Sequence, residues 1–567
     1  MAIIRLPLSQ PLETRDGTLT KDSLCSNGYF DTQGPKRDFV KRIGLTSPTL
    51  QTVLPPYPCK GLTYFKGYLY VVLNNVIYKV NPLTYTQVLV GTMTGAIANC
   101  YFTSTSQDAY LFVHNQTNGY LINGTTGAFT QLTNDNVTTP CITILTGGTG
   151  YTTPTVTFSP PTIGVAATGT VQVTSGVVTG ITITNPGSGY TSAPSITINP
   201  VGGGSSATAS CILNFFPTGG LVPGAVFIDS YIVVGQANGR LYNCNVGDPT
   251  TWNALNYVSA EGDPDFSIGI VKHYNYIVNY GSNSTEYFYD AGNAITSPFS
   301  PAQSYRSEIG CSAGDSIVQF ENTVAWVGSS KSAGEAVYLL DGLTPTRISN
   351  AYVDRILNSS TLARTNAYAF KNSGHTFYVL TLFDLNITLV CDIQEKAWYR
   401  WTSWAVGTAT SGVADVYAEQ YFRPAFYTST LTGADWFSDG EFGTLSYGNS
   451  TTYTDSGAPI YFRSTSDIID HGSSKRKFYH RLEIIGDKVQ GSLQVRHSQD
   501  DYKTWSQFRT VDLSKSRPQI YSLGTARRRA WQFLCTDAVP LRIDSAEIDY
   551  EVGELEQEGI QAANYRK

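Results

Sequence analysis

The chain has 567 residues, which at ~150 residues per domain predicts three or four domains. It carries 38 Lys+Arg against 44 Asp+Glu, only 14% of its residues are charged, and 41% are hydrophobic, so it is too apolar for disorder and too weakly charged for mainly electrostatic partners. No apolar run reaches the ~18 residues of a membrane span, and Arg5 and Pro7 interrupt any signal-peptide core, so we expect no spanning or targeting segment.

Strand–turn–strand units rich in aromatic and β-branched residues recur after residue 55. Three of them turn on Asn-Asn or Asn-Gly, residues that readily take the positive φ of a tight turn. We therefore predict β-hairpins at residues 67–80, 109–122 and 231–242. Weaker units of the same kind follow at residues 274–289, 316–340, 375–392 and 425–447, and a helix of two turns is predicted at 352–357.

The spacing of these units indicates the architecture. Once one long insertion is set aside, they recur about every 45 residues, a period typical of four-stranded propeller blades. The sequence predicts an all-β protein, a β-propeller of six or seven blades over residues 55–455, with an inserted small β-domain and a C-terminal β-domain. Two stacked β-sandwiches are the alternative.

The insertion has a composition of its own. Residues 136–228 contain no Asp, Glu, Lys, Arg or His, and a Gly-x-Gly-Tyr motif occurs twice, ending at Tyr151 and Tyr190. Each motif leads into alternating Thr and β-branched residues, which predicts strands with one apolar and one hydroxyl face. A charge-free surface of this kind favours contact with another protein or a host glycan, or serves as a spacer.

The composition changes again after residue 455, where the chain becomes locally basic. It contains two runs of cations, Lys475-Arg476-Lys477 and Arg527-Arg528-Arg529. These runs could contact DNA phosphates or form a salt-bridged subunit interface. The predicted division of the chain is an N-terminal arm with the first strands (1–54), two propeller parts (55–136 and 221–455), the inserted domain (137–220), a C-terminal β-domain (456–553) and a tail (554–567).

Residues for catalysis or metal binding are scarce. The six histidines never stand at ligand spacing, and the nine scattered cysteines predict reduced thiols rather than disulfides or zinc. Residues 498–505 resemble the Asp-box of sialidase-like propellers, with Tyr502 where Gly is usual, and that box is structural. The run Glu261 to Asp265 clusters three carboxylates in what we interpret as a solvated loop rather than a calcium site. We predict no catalytic residues, no metal and no cofactor.

Several ordered motifs resemble one family. They include Asp248-Pro249-Thr250-Thr251-Trp252 and the stretches 227–234, 238–242, 259–265, 282–288, 527–533 and 539–544. These are similar to the tail nozzle proteins of short-tailed bacteriophages, also called tail tubular protein B or packaged-DNA stabilisation proteins. The likeness covers about residues 10–135 and 220–550, and the insertion departs from compact members.

The resemblance implies a structural virion protein, made late and assembled in the host cytoplasm, with no catalytic residues. It implies a homohexameric ring below the portal and adaptor that contacts tail fibre, spike or needle proteins. Phage DNA would pass through that ring without sequence-specific binding. Two other hypotheses stay open: a glycan-binding adhesin acting through the insertion, and a polysaccharide-degrading tail protein that uses Asp263 or Asp265.

Overall fold

The computed structural model describes residues 2–6, 24–33, 36–51, 54–95, 97–138, 141–199, 204–405 and 418–553. Regular structure in these ranges is almost entirely β. The single α-helix that they contain is nine residues long, and none of their helices is long and apolar enough to cross a membrane. The predicted tail at 554–567 lies outside the described residues.

Five short strands come from the N-terminal segment, and most of their partners lie hundreds of residues away. They are β1 Ala2–Leu6, β2 Leu24–Ser26, β3 Gly28–Gln33, β4 Lys36–Lys41 and β5 Gly44–Thr46. Residues 24–33 and 36–46 of the predicted arm and first strands are thus mostly strand. These residues pair with the C-terminal domain and with propeller strands, because edge strands there still have unpaired backbone groups.

The first two propeller blades are four-stranded antiparallel sheets with their strands in chain order. Blade 1 consists of β6 Cys59–Phe65, β7 Tyr68–Leu73, β8 Val76–Val80 and β9 Gln87–Thr92, and blade 2 of β10 Tyr101–Ser104, β11 Tyr110–His114, β12 Gly119–Asn123 and β13 Phe129–Gln131. The pairs β7–β8 and β11–β12 confirm the first two predicted hairpins. Asn74 takes the expected positive φ of 60° in the first turn.

The insertion forms a separate β-domain between blades 2 and 3. Its strands are β14 Ile142–Thr146, β15 Thr155–Phe158, β16 Thr168–Thr174, β17 Val177–Asn185, β18 Ile196–Asn199 and β19 Thr208–Cys211. They form a two-stranded sheet, β14–β19, and a four-stranded sheet in the order β17-β16-β15-β18. A core of its own, which includes Tyr151 and Tyr190, fills the space between the strands.

Blades 3 to 5 follow the same up-and-down pattern. Their strands are β20 Val226–Ile228, β21 Tyr231–Gly235, β22 Arg240–Asn245 and β23 Asp248–Ser259; β24 Ser267–His273, β25 Tyr276–Gly281, β26 Thr285–Asp290 and β27 Phe299–Pro301; and β28 Val318–Phe320, β29 Thr323–Ser330, β30 Ala333–Asp341 and β31 Thr344–Arg347. The predicted helix is present as α1 Ala351–Ser359, and the Asn350 side chain caps it by accepting a hydrogen bond from the Val353 amide at 3.0 Å.

Blades 6 and 7 complete the ring, and both extend into other elements. Their strands are β32 Thr365–Asn372, β33 His375–Leu382, β34 Ile387–Asp392 and β35 Ala397–Ala405, with β36 Ala418–Tyr421 paired to β35, and then β37 Pro424–Ser429, β38 Asp435–Asp439 and β39 Leu445–Asn449. The fourth strand of blade 7 is the N-terminal β5, which pairs antiparallel with β39. Closing the last blade with an N-terminal strand ties the two ends of the propeller together.

Each pair of neighbouring blades encloses an apolar core. Seven such cores occur between successive blades, and the last joins blade 7 to blade 1 through Trp436, Leu445 and Leu69. Middle strands such as β33 and β34 are buried along their whole length, since a blade packs against a neighbour on both faces. The described chain is a propeller of seven blades, which confirms the predicted fold over two stacked sandwiches.

The C-terminal domain is a β-sandwich joined to blade 6. It follows β40 Thr454–Asp455 and β41 Ala458–Pro459, which extend the sheet of blade 7 beyond β5. Its own strands after these are β42 Phe462–Thr465, β43 Lys477–Gly486, β44 Ser492–Ser498, β45 Arg509–Asp512, β46 Gln519–Tyr521, β47 Thr525–Ala526, β48 Ala530–Cys535 and β49 Arg542–Val552. One sheet has the order β3-β4-β49-β43-β46, and the other continues blade 6 as β35-β2-β42-β48-β44-β45. The two share one core with blade 6.

Candidate functional surfaces

The two predicted basic runs meet at one edge of the C-terminal domain. Lys477 opens β43 and pairs with Ala526 in β47, which places the run beginning at Lys475 beside the run beginning at Arg527. The Lys477 ammonium donates to the backbone carbonyl oxygens of Ser473 and Arg527. Strand pairing thus brings together two runs that lie about fifty residues apart in the sequence, and the six cations form one cluster.

Two of the six cations are buried, which corrects their prediction as surface contacts. Lys477 and Arg529 have no exposed surface. The Arg529 guanidinium lies 4.3 Å from the ring centroid of Tyr479 and 5.2 Å from that of Trp531, and it donates to the Leu523 carbonyl at 2.9 Å. Burial lowers the pKa of Arg529 to about 10. Carbonyl oxygens contact both buried charged groups, and aromatic faces contact that of Arg529, whose Nε and Nη2 have no hydrogen-bond partner among the described residues.

The remaining cations lie at the surface. Arg476, Arg527 and Arg528 are exposed and Lys475 is half-buried. Arg528 forms an ion pair with Asp501 at 2.7 Å. Because both side chains are about half exposed, this ion pair contributes little to stability. A role for these four in DNA or subunit contact stays a prediction.

The Asp-box-like run forms the turn of the β44–β45 hairpin, as the sequence predicts. Asp500 accepts hydrogen bonds from the Thr504 amide at 2.9 Å and the Thr504 hydroxyl at 2.6 Å. These bonds lower the pKa of Asp500 to about 2. Its Oδ1 also accepts from the Ser498 hydroxyl. The carboxylate is thus used to close the turn, as in a structural box.

The 261–265 loop is largely exposed, and two of its three carboxylates have partners in neighbouring blades. Asp263 is paired with Arg306 and, at 3.5 Å, with Lys331. The Arg306 guanidinium holds the pKa of Asp263 below its usual range. Asp265 accepts from the Asn283 amide at 2.7 Å. No group of His, Cys, Asp or Glu among the described residues has the arrangement of a metal site.

A histidine that the sequence did not single out connects the propeller to the C-terminal domain. The His375 Nδ1 lies 2.7 Å from Asp392 in blade 6, and its Nε2 lies 3.7 Å from Asp31 in β3. Asp31 in turn pairs with Arg542 in β49. The hydrogen bond to Asp392 raises the pKa of His375. Only the fold brings Asp31 to this place, since it lies hundreds of residues from His375 and from Arg542 in the sequence.

The axis of the propeller is crossed by side chains. Tyr101, in the innermost strand of blade 2, donates to Asp315, which precedes blade 5. Burial raises the pKa of Asp315 to about 6. Beside this contact, a cavity of about 290 Å³ lies among the innermost strands of blades 2 to 5, with Lys272 in its wall. Because the contact joins blades that are not neighbours, the channel of a single propeller is obstructed.

In the inserted domain, the tyrosine of each motif copy forms a hydrogen bond beyond the other copy. The Tyr151 hydroxyl accepts from the Ala207 amide at 2.6 Å, and the Tyr190 hydroxyl accepts from the Ala167 amide at 2.9 Å. Each tyrosine thus anchors the strand that follows the other motif. The outer surface has no charged group and exposes large apolar side chains such as Ile163, which is 82% exposed.

These observations define the protein as a seven-bladed β-propeller that carries an inserted β-domain and a C-terminal β-sandwich. Residues 217–429, which span blade 3 to the first strand of blade 7, match the family model described as "Bacteriophage P22 Gp10, beta-propeller". This match supports a structural tail protein of a bacteriophage, and with it a location in the virion. A search of the curated proteins found no match.

Three solved structures align with this chain at low identity. A chain from the crystal structure of a mitotic checkpoint complex is 9% identical over 71% of this chain and 94% of its own, with a TM-score of 0.35. The WD40 domain of Neurospora crassa Pan2 is 8% identical over 73% and 96%, with a TM-score of 0.35. The computationally designed Ika8 protein is 13% identical over 72% and 99%, with a TM-score of 0.31.

Proposed function

We propose that this protein is a subunit of a bacteriophage tail nozzle. In this proposal, six copies form a ring below the portal and adaptor, and the ring encloses the channel through which DNA leaves the particle. The observation that carries the proposal is the match of residues 217–429 to a phage propeller family, a segment that covers blades 3 to 6 and the first strand of blade 7.

The obstructed propeller axis decides where such a channel would run. With Tyr101 bonded to Asp315 across the axis, a DNA duplex cannot pass through one propeller. We therefore propose that the conduit lies between subunits arranged around a common axis. The net charge of -6 suits such a conduit, because few cations would hold phosphates and slow their passage.

The proposed role is that of a scaffold rather than of an enzyme. The carboxylates that a polysaccharide-degrading activity would use have other partners, since Asp263 is paired with Arg306 and Asp265 accepts from a backbone amide. Fibre, spike or needle proteins are the proposed partners below the ring. The exposed cations Arg476, Arg527 and Arg528 and the charge-free inserted domain are the proposed contact surfaces.

The mass of the purified full-length protein tests this proposal. Six chains of 61.7 kDa give a ring of about 370 kDa, visible by mass photometry alone or after addition of the adaptor complex. Phage particles should contain the protein in a small multiple of six copies. A protein that stays monomeric with the adaptor and is absent from purified particles would refute the nozzle assignment.

A further inference from the structure

A groove on the rim of the propeller lies between blades 3 and 4. It has a volume of about 490 Å³, within the roughly 300–1,000 Å³ of small-molecule sites. One wall is the β22–β23 hairpin with Asn245 and Asp248, and the other is the β26–β27 loop with Asn293. Tyr231 lies in the wall as well. The groove lies within the segment that matches the phage family, and Asp248 opens one of the family-like motifs, but no ligand is assigned to it.

Several polar atoms of the groove have no protein partner among the described residues. The Asn256 amide nitrogen donates to Asn245 Oδ1 at 3.3 Å, which leaves Asn245 Nδ2 as a donor and Asn256 Oδ1 as an acceptor. Asp248 uses Oδ1 to hold the amide and hydroxyl of Thr250, and its Oδ2 has no such bond. The Tyr231 hydroxyl has no protein partner either. The groove thus offers both donors and acceptors.

The walls are fixed before any ligand arrives. The Ser297 hydroxyl donates to Asn243 Oδ1 at 2.8 Å, a buried bond that ties the loop of blade 4 to a strand of blade 3. Asn293 donates to the Ser300 hydroxyl at 3.0 Å, and the Tyr231 ring packs edge-on against Phe299 with centroids 5.6 Å apart. A pre-formed groove loses little entropy on binding, so weak polar contacts are enough for measurable affinity.

The charge of the lining decides the class of ligand. No Lys, Arg or His is among the residues that line the groove, so an anionic ligand would face Asp248 without a cation. A hydroxyl group can both donate and accept a hydrogen bond. The hydroxyls of a sugar therefore match the carboxamides of Asn245 and Asn256, which offer a donor and an acceptor. Val246 and Ile295, which are 64% and 81% exposed beside the groove, supply apolar surface for the faces of a sugar ring.

We propose that this groove binds a neutral saccharide. The proposal concerns one subunit and does not depend on the nozzle assignment. A protein that binds the saccharide but forms no ring would support this site and refute the nozzle assignment. A protein that forms the ring but binds no saccharide would refute this site and leave the nozzle assignment standing.

An array of neutral and acidic bacterial oligosaccharides, probed with the full-length protein, tests the proposal. We expect binding to at least one neutral oligosaccharide, and binding about tenfold weaker in the double variant Asn245→Ala/Asn256→Ala, since the two substitutions remove hydrogen bonds to the ligand. Tyr231→Phe, which removes only a hydroxyl, should weaken the same binding severalfold. The control Asn322→Ala alters an exposed asparagine in the β28–β29 turn and should leave affinity unchanged.

Three results would overturn the proposal. They are the absence of binding to every neutral oligosaccharide, binding to acidic oligosaccharides only, and binding to a neutral oligosaccharide that the double variant retains in full. The melting temperatures of the variants should be unchanged, because the substituted side chains lie in an open groove. With unchanged melting temperatures, a loss of binding is due to the groove itself.

Discussion

Replacing Arg42 by Met should strongly destabilise the closure of the propeller. Arg42 is almost fully buried where the N-terminal segment, blade 6 and blade 7 meet. Its guanidinium forms two hydrogen bonds with the Asp455 carboxylate, at 2.9 and 2.5 Å, and donates to Asn27 Oδ1 at 3.0 Å and to the Thr402 carbonyl at 3.2 Å. It also lies 4.5 Å from the centroid of the Phe422 ring. One side chain thus joins four distant segments.

The magnitude follows from what the substitution leaves behind. Met fills similar volume, but the Asp455 carboxylate, only 15% exposed, is left without its cation. Removing one partner of a buried ion pair costs about 3–5 kcal/mol, whereas removing both partners is often close to neutral. We therefore expect Arg42→Met to lower the free energy of unfolding by about 3–5 kcal/mol, and Arg42→Met/Asp455→Ala to recover a large part of that loss.

Urea unfolding followed by tryptophan fluorescence measures the loss, and hydrogen exchange locates it. Exchange should accelerate first in β5 and β39, the strand pair that closes blade 7. Arg527→Met, at an exposed arginine, is the matched control and should change stability by no more than about 0.5 kcal/mol. If Arg42→Met behaved like this control, or if exchange in β5 were unchanged, the closure would not depend on the ion pair.

Two further predictions concern other buried cations. His375→Asn should lower the melting temperature more at pH 5.5 than at pH 9, because the pKa of His375 is raised in the folded protein. Its charged contacts with Asp392 and Asp31 stabilise the fold fully below the pKa of about 6.5 in the unfolded chain, and this stabilisation is lost as pH rises through the folded pKa. An equal loss at both pH values, measured by scanning calorimetry, would show that the charge has no role. Arg529→Met should destabilise the C-terminal domain in urea by about 1–3 kcal/mol through lost stacking and the Leu523 bond, while Arg527→Met should not; equal effects would contradict the burial of Arg529.

Local signals in the sequence predicted most of the propeller. Hairpins such as β7–β8 form between residues adjacent in the chain, so turn residues and apolar patterns are sufficient to find them. The inserted domain was found from its composition, since 136–228 lacks charge and repeats its tyrosine motif. The hydrogen bonds of Tyr151 and Tyr190, which cross between the two motif copies, needed the structure.

The parts that were not predicted depend on contacts between distant residues. Nothing near Gly44–Thr46 in the sequence shows that β5 closes a blade whose other strands begin at Pro424. The burial of Lys477 and Arg529 likewise depends on carbonyl oxygens and aromatic rings supplied by other strands, so a basic run in sequence did not become a basic surface. The rim groove joins two blades, so its lining residues come together only in the fold.

Electron cryomicroscopy of intact phage particles containing this protein tests the central claim most directly. The account predicts six copies of the seven-bladed propeller around the DNA channel, below the portal and adaptor, with the channel between subunits and each propeller axis closed. A tail in which these copies are missing, or in which DNA density runs through the axis of a single propeller, would contradict it.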